Sequence, residues 1–129
     1  MYDTSLATMR LFDSGVFDEI PTPKFILPHV GGILAYIRGR VERQRFGKPH
    51  TAEEYFKMIY FDTVSYNFES LDLCYRWIGP ERMLYGTDHP FTEPTRFIAD
   101  MVERLECTPE EMELVFHGNA ERLLRMDQA

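Results

Sequence analysis

Two polar residues that could carry out acid–base or metal chemistry come directly after short apolar runs. His29 ends the run at 24–28, and Asp88 follows the run at 83–85 after a glycine. A histidine gives or takes a proton near neutral pH, and a carboxylate can do the same or bind a divalent cation. Short apolar runs bounded by glycine and proline are typical of buried strands. We expect two strands to deliver His29 and Asp88 to one site, because chemistry in sheets built from β–α units gathers at the carboxyl ends of the strands.

A third apolar run, at 58–61, ends at Asp62 in the same way. Helical spacing of apolar residues predicts helices around 4–14, 33–41, 68–78, 97–105, 108–116 and 119–126, with a short one from 51. These helices alternate with strands expected at 24–28, 58–61 and 82–86, which predicts an α/β fold with parallel strands and right-handed crossovers. Three parallel strands leave two exposed edges, so the pattern is that of an incomplete sheet.

Several residues mark where the helices begin and end. Gly15 is expected to stop the first helix, and Thr51 and Thr108 each head a capping box with a glutamate three residues later. Asn67 is expected to cap the helix after the second strand, and Gly118-Asn119 to break the chain between the last two helices. A proline turn is expected at 21–23 and a polar connector at 44–50. Pro94 is expected in the first turn of a helix.

The helix after His29 is expected to start at the glycine pair 31–32 and to have two distinct faces. Its apolar face would carry Ile33, Leu34, Ile37 and Val41, and its charged face Arg38, Arg40, Glu42 and Arg43. The large aromatic residues are expected in the core: Phe12, Phe17, Phe25, Phe61, Phe68, Trp77, Phe97 and Phe116.

Composition limits the classes of function. The chain has 129 residues, 44% of them hydrophobic, which suits one modest domain. Its net charge of -7, from 21 acidic and 14 basic residues, argues against nucleic acid or an anionic membrane as the main partner. No apolar run approaches the roughly 20 residues that span a bilayer, and we expect a cytoplasmic protein. Cys74 and Cys107, expected in helical segments, are interpreted as reduced structural thiols.

Four segments resemble, in order and spacing, the C-terminal part of the amidohydrolase-related metal-dependent (β/α)8 barrels. They are 27–32 (Leu-Pro-His-Val-Gly-Gly) with Gly39-Arg40 beyond it, 60–63 (Tyr-Phe-Asp-Thr), 84–91 (Leu-Tyr-Gly-Thr-Asp-His-Pro-Phe) and 118–124 (Gly-Asn-Ala-Glu-Arg-Leu-Leu). The most similar subgroup is that of aminocarboxymuconate-semialdehyde decarboxylase and the resorcylate-type decarboxylases. The resemblance covers nearly all of this chain and less than half of a family member. It implies a partial TIM barrel over 1–129, a single incomplete domain with the last three parallel β–α units and the C-terminal helices.

The resemblance also implies roles for individual residues. His29 corresponds to the catalytic histidine, which activates a metal-bound water or protonates the substrate carbon. Asp88 corresponds to the aspartate after the last barrel strand, a metal ligand that can also take part in proton transfer. Arg40 corresponds to an arginine that holds a substrate carboxylate and reaches in from the neighbouring subunit of a dimer, and Phe91 lies on the loop that lines the substrate pocket. One departure is Val30, which stands where the family has the first glycine of His-Gly-Gly-Gly.

A complete metal site is not expected from this chain alone. Catalytic zinc usually has three protein ligands and an open position for water, whereas the sequence offers one well-placed carboxylate and one well-placed histidine. The family's amino-terminal His-x-His and its later metal-binding histidine lie on strands that this chain does not contain. Among the other histidines, His50 lies in the polar connector and His117 near a helix end, so His89, beside Asp88, is assigned to substrate binding. The cofactor implied is a divalent metal, zinc in the complete enzyme, bound weakly or not at all here.

Each of these residues also has a purely structural interpretation. His29 could hydrogen-bond the turn that follows it, and Asp88 could cap the next loop or helix. Asp62 is as consistent with a structural role as with a catalytic one. Arg40 lies on a charged helix face that water would solvate in any case.

The leading hypothesis is therefore part of a metal-dependent decarboxylase or hydrolase that acts on a small carboxylated or cyclic substrate. Its partners would be further copies of the chain, or a polypeptide with the missing N-terminal barrel strands. The alternatives are a small self-assembling protein and a non-catalytic α/β remnant with a binding or scaffolding role.

Overall fold

A computed structural model of the chain describes residues 1–20, 24–43, 49–91 and 96–126. The proline turn expected at 21–23, most of the connector expected at 44–50, and the helical turn expected at Pro94 lie outside the described residues.

Three parallel strands form the sheet in the order β1-β2-β3. They are β1 (Ile26–Leu27), β2 (Tyr60–Asp62) and β3 (Met83–Leu84). In the register, Leu27 lies opposite Phe61 and Phe61 lies opposite Met83. The expected parallel α/β sheet is confirmed, but the limits expected for its strands were wrong: these were 24–28, 58–61 and 82–86. Met58 still belongs to the end of the preceding helix, and a short 3-10 turn at Pro80–Arg82 leads directly into β3.

Eight helices accompany the strands in the described ranges. They are α1 (Tyr2–Ser14), α2 (Val16–Glu19), α3 (Leu34–Arg43), α4 (Ala52–Lys57), α5 (Phe68–Ile78), α6 (Phe97–Val102), α7 (Pro109–Glu113) and α8 (Asn119–Leu124). None of them is long and apolar enough to cross a membrane.

The predicted helix ends are largely confirmed. Gly15, at φ 82°, ends α1 in the left-handed region that favours glycine. Thr51 and Thr108 form complete capping boxes at the start of α4 and α7. At the start of α5, the side-chain oxygen of Asn67 accepts a hydrogen bond from the backbone N–H of Ser70 at 2.9 Å. These caps satisfy N–H groups that have no partner within their own helix.

The break expected at Gly118-Asn119 was wrong. Both residues have helical backbone angles, and a π-helical turn at Leu114–Gly118 joins α7 to α8 without interruption. Asn119 is 1% exposed, and its side-chain amide donates to the carbonyl oxygens of Pro80 at 2.7 Å and Met83 at 2.8 Å. The asparagine therefore ties the C-terminal helices to the segment that enters β3 and has no capping function.

The core lies between the helices and the sheet, and its aromatic residues pack in ring-to-ring contacts. Phe12 on α1 stacks on Tyr55 of α4 and meets Phe17 edge-on, with ring centroids 5.0 and 5.3 Å apart. Phe61 of β2 packs near Trp77 of α5. This arrangement confirms most of the expected aromatic core. The expectation that Phe97 lies in the core was wrong, because this residue is 48% exposed.

Two further expectations were wrong in detail. α3 begins at Leu34 and not at the glycine pair, since Gly31 and Gly32 both have positive φ, and Ile33 is 38% exposed. Cys107 lies in the turn before α7 and not in a helix. Both cysteines are free thiols, and burial raises the pKa of Cys74 to about 12, so this thiol is not a reactive nucleophile.

Replacement of Asn119 by alanine should destabilise the chain. Its loss leaves the Pro80 and Met83 carbonyls without their donor in a buried site, which costs about 1–3 kcal/mol of unfolding free energy. Asn119→Asp should cost more, because it removes the same N–H donors and buries a charge. Urea denaturation followed by circular dichroism measures both. An Asn119→Ala midpoint equal to wild type would mean that the amide does not anchor β3.

Candidate active site

His29 lies in a left-handed turn that follows β1. The φ angles are 59° at His29, 48° at Val30, 76° at Gly31 and 69° at Gly32. Glycine adopts such angles freely, whereas a β-branched residue does so at a cost on the order of 1–3 kcal/mol. A side chain at Gly31 would place its Cβ 2.6 Å from the Phe61 ring, so the turn packs directly on β2.

Asp62, at the end of β2, is bonded to the same turn. Its Oδ1 accepts hydrogen bonds from the backbone N–H groups of Val30 and Val64, each at 3.1 Å. Burial raises the pKa of Asp62 above its ordinary value, while those two amides and the nearby His29 oppose the shift. A pKa raised on folding means that the folded state binds more protons. The contribution of Asp62 to the free energy of unfolding therefore falls as pH rises from the ordinary carboxyl pKa towards the raised one. Above that pKa the partly buried carboxylate is ionised and destabilises the fold.

Asp88 is positioned by contacts with the loop after β2. Beyond the last residues of β2 and β3, the two segments stay hydrogen-bonded through Thr63. Its hydroxyl accepts from the Gly86 N–H at 3.1 Å and donates to the Gly86 carbonyl at 3.2 Å. Asp88 follows two residues later in a left-handed conformation, with φ 66°. The hydroxyl of Tyr66 donates to Asp88 Oδ2 at 2.9 Å. Two adjacent strands thus fix the position of the carboxylate.

A cavity of about 270 Å3 lies beside His29. Its described lining includes His29 and Val30 from one loop and Val64, Ser65 and Tyr66 from the next. Tyr66 therefore connects the two candidate groups, because it lines the cavity with His29 and its hydroxyl bonds to Asp88. The Nδ1 atom of His29 is buried and has no hydrogen-bond partner among the described residues. The arrangement can offer an imidazole and a carboxylate to a small molecule at the carboxyl edge of the sheet.

The three residues expected to bind substrate are less closely associated with this cavity. Arg40 is exposed on α3, His89 is exposed beside Asp88, and Phe91 is 88% exposed. None of the three is among the described residues that line the cavity. Their roles stay predictions.

The described residues do not make a complete metal site. Asp88 supplies one carboxylate oxygen of the kind that divalent cations bind. Within the described ranges, however, no group of three or more His, Cys, Asp or Glu side chains could hold an ion. A catalytic metal needs about three protein ligands, so further ligands have to come from outside these residues.

Sequence reasoning missed three contributors to the site. Tyr66 carries no motif, and only its place between a strand end and a helix cap hints at a site loop. Ser5 gives no signal either, although its buried hydroxyl accepts from the Ile33 N–H at 3.0 Å and contacts the Gly31 carbonyl at 3.3 Å. The bond from Val30 to Asp62 could not be predicted, because it depends on how the turn folds back onto β2.

Curated proteins similar in sequence to this chain include two decarboxylases. The gamma-resorcylate decarboxylase of Polaromonas sp. is 29% identical over 136 residues, covering 98% of this chain and 41% of the relative. The 2-amino-3-carboxymuconate-6-semialdehyde decarboxylase of Dictyostelium discoideum is 27% identical, covering 97% of this chain and 37% of the relative. The chain thus spans about two-fifths of the length of the curated relatives it matches.

A solved structure shows the same fold. The crystal structure of the dihydroxybenzoic acid decarboxylase from Polaromonas sp. JS666, with bound manganese and the inhibitor 2-nitroresorcinol, superposes with a TM-score of 0.81 at 27% identity. The superposition covers 97% of this chain and 40% of the decarboxylase, a TIM barrel, so the three strands and their helices correspond to part of such a barrel. The sequence profile of the amidohydrolase family matches residues 3–126. Because that match covers nearly the whole chain, the chain belongs to the amidohydrolase family.

Proposed function

We propose that this chain, as a single domain over 1–129, supplies the proton-transfer half of a metal-dependent decarboxylase acting on a small carboxylated aromatic substrate. One observation carries the proposal: the parallel strands on either side of β2 bring His29 and Asp88 to one edge of the sheet, where Tyr66 lines the His29 cavity and bonds Asp88. The decarboxylases among its relatives support the reaction class. Hydrolysis of a cyclic substrate remains the alternative reaction, because the same two groups could serve it.

In this proposal His29 is the general acid and base. Loss of carbon dioxide from an aromatic ring requires a proton at the ring carbon that bore the carboxylate. An imidazole at the cavity wall can deliver it, and a positioned proton donor of this kind is worth roughly 10²–10⁴ in rate. Asp88 assists proton transfer, Arg40 binds the substrate carboxylate through charge-assisted hydrogen bonds, and His89 and Phe91 contact the substrate from the loop after β3.

The metal is proposed to be zinc in the complete enzyme, with Asp88 as the ligand from this chain. When bound, a divalent cation would stabilise negative charge on substrate oxygens. The remaining ligands would come from another polypeptide segment. The partners proposed are therefore the N-terminal part of a barrel or further copies of this chain, with Arg40 contributed across a dimer interface.

The histidine assignment can be tested in a completed barrel. Residues 1–129 would replace the matching C-terminal part of the Polaromonas gamma-resorcylate decarboxylase, and carbon dioxide release from gamma-resorcylate would be followed. We expect His29→Asn to lower kcat by about 10²–10⁴. His117→Asn is the matched control, because His117 is exposed and bonds only to Glu121 within the described ranges. Equal activity of the two variants would exclude His29 as the acid.

The arginine assignment predicts an effect on substrate binding. Arg40→Ala in the same chimaera should raise KM for gamma-resorcylate by about tenfold or more, because a hydrogen-bonded charge partner of the carboxylate is lost. Arg43→Ala, also exposed near the end of α3, should leave KM unchanged. A similar KM for both variants would place the carboxylate elsewhere.

A further inference from the structure

Asp62 is a charged residue at a strand end, and the proposed reaction gives it no role. It ends the central strand, between the loops that carry His29 and Asp88. Its Oδ1 accepts hydrogen bonds from the Val30 and Val64 N–H groups. Val30 is the residue next to His29, so one carboxylate oxygen of β2 holds the backbone of the His29 turn.

The turn needs such a restraint because of its sequence. Two consecutive residues other than glycine, His29 and Val30, have left-handed backbone angles. Such conformations persist only where surrounding contacts enforce them. Val30 increases this need, because a β-branched residue disfavours the left-handed region more than most.

A second contact holds the turn from its other side. The buried Ser5 hydroxyl of α1 accepts from the Ile33 N–H and contacts the Gly31 carbonyl. The Phe61 ring packs against Gly31, where an added Cβ atom would lie 2.6 Å from it. Asp62 is the contact of this set that reaches the residue adjoining His29, so it has the most direct control over where the imidazole lies.

We propose that Asp62 is a positioning residue for His29: its Oδ1 holds the Val30 N–H and so keeps the left-handed turn that places the imidazole at the cavity. A carboxylate suits this task because charged acceptors form stronger hydrogen bonds than neutral ones. The inference rests on the proposed function only for the catalytic consequence, and the conformation of the turn can be tested without activity.

The conformational test uses NMR on the 129-residue chain. In Asp62→Ala, amide exchange at Val30 should accelerate by about tenfold or more relative to the Leu71 amide of α5, because Val30 loses its acceptor while the Leu71 N–H keeps its bond to the Asn67 carbonyl. Asp62→Asn retains an oxygen acceptor and should stay within about threefold of wild type. Unchanged exchange at Val30 in Asp62→Ala, or equal acceleration in both variants, would overturn the proposal.

The strain argument predicts a rescue. The His29 Cε1–Hε1 signal should shift in Asp62→Ala towards its position in the unfolded chain. Adding Val30→Gly should move it back towards wild type, since glycine adopts the left-handed conformation without a tether. A double variant shifted as far as Asp62→Ala would contradict the role of Val30.

The catalytic consequence is measured in the chimaera. Asp62→Ala should lower kcat by about 10- to 100-fold with little change in KM, because misplacing a reacting group slows chemistry more than binding. Asp62→Asn should recover most of the rate. An inactive wild-type chimaera would count against the proposed function, while the exchange measurement on the chain would still decide the role of Asp62.

Discussion

The parallel pairing of β2 with both neighbours is the constraint on which the site depends. β2 has three residues, yet it bonds to β1 on one side and to β3 on the other. The residues that follow it extend this role. Asp62 bonds the loop after β1, while Thr63 and Tyr66 bond the loop after β3. β2 and the loop that follows it therefore fix the positions of His29 and Asp88 relative to each other.

The short strands need the helices around them. Two hydrogen-bonded residues in β1 and two in β3 contribute little on their own. The buried aromatic rings of α1, α2 and α4 pack on one another, and Phe17 of α2 contacts Phe25, the residue before β1. On the other side, Asn119 and the bond from the Tyr85 N–H to the Val115 carbonyl attach the C-terminal helices to β3. In a barrel, each outer strand would also pair with a further strand, which explains how such brief strands can belong to a stable sheet.

The sequence was most informative where local chemistry decides local structure. The capping boxes at Thr51 and Thr108 and the stop at Gly15 depend on residues within one turn of each other, and all three are confirmed. The parallel direction of the strands followed from the alternation of helices and strands alone. Gly118-Asn119 shows the limit of this reasoning, because its residue types suggest a break, whereas the backbone there is helical and the Asn119 side chain bonds to Pro80 and Met83.

The site was predictable in part for the same reason. His29 and Asp88 could be identified because both follow apolar runs and fit a family motif. Tyr66, Ser5 and the tether from Asp62 to Val30 could not, because each depends on contacts between segments far apart in the chain. Val30 is the clearest case: the sequence showed a departure from glycine, and only the backbone shows that this valine occupies a left-handed position.

Metal content tests the central claim most directly. The chain alone and the completed chimaera would be purified with zinc and manganese available and measured by elemental analysis, each as wild type and as Asp88→Ala. The account predicts near-stoichiometric metal in the wild-type chimaera, its loss in Asp88→Ala, and little metal in the chain alone. Metal retained by the Asp88→Ala chimaera at the wild-type level would contradict the assignment of Asp88 as the ligand that this chain contributes.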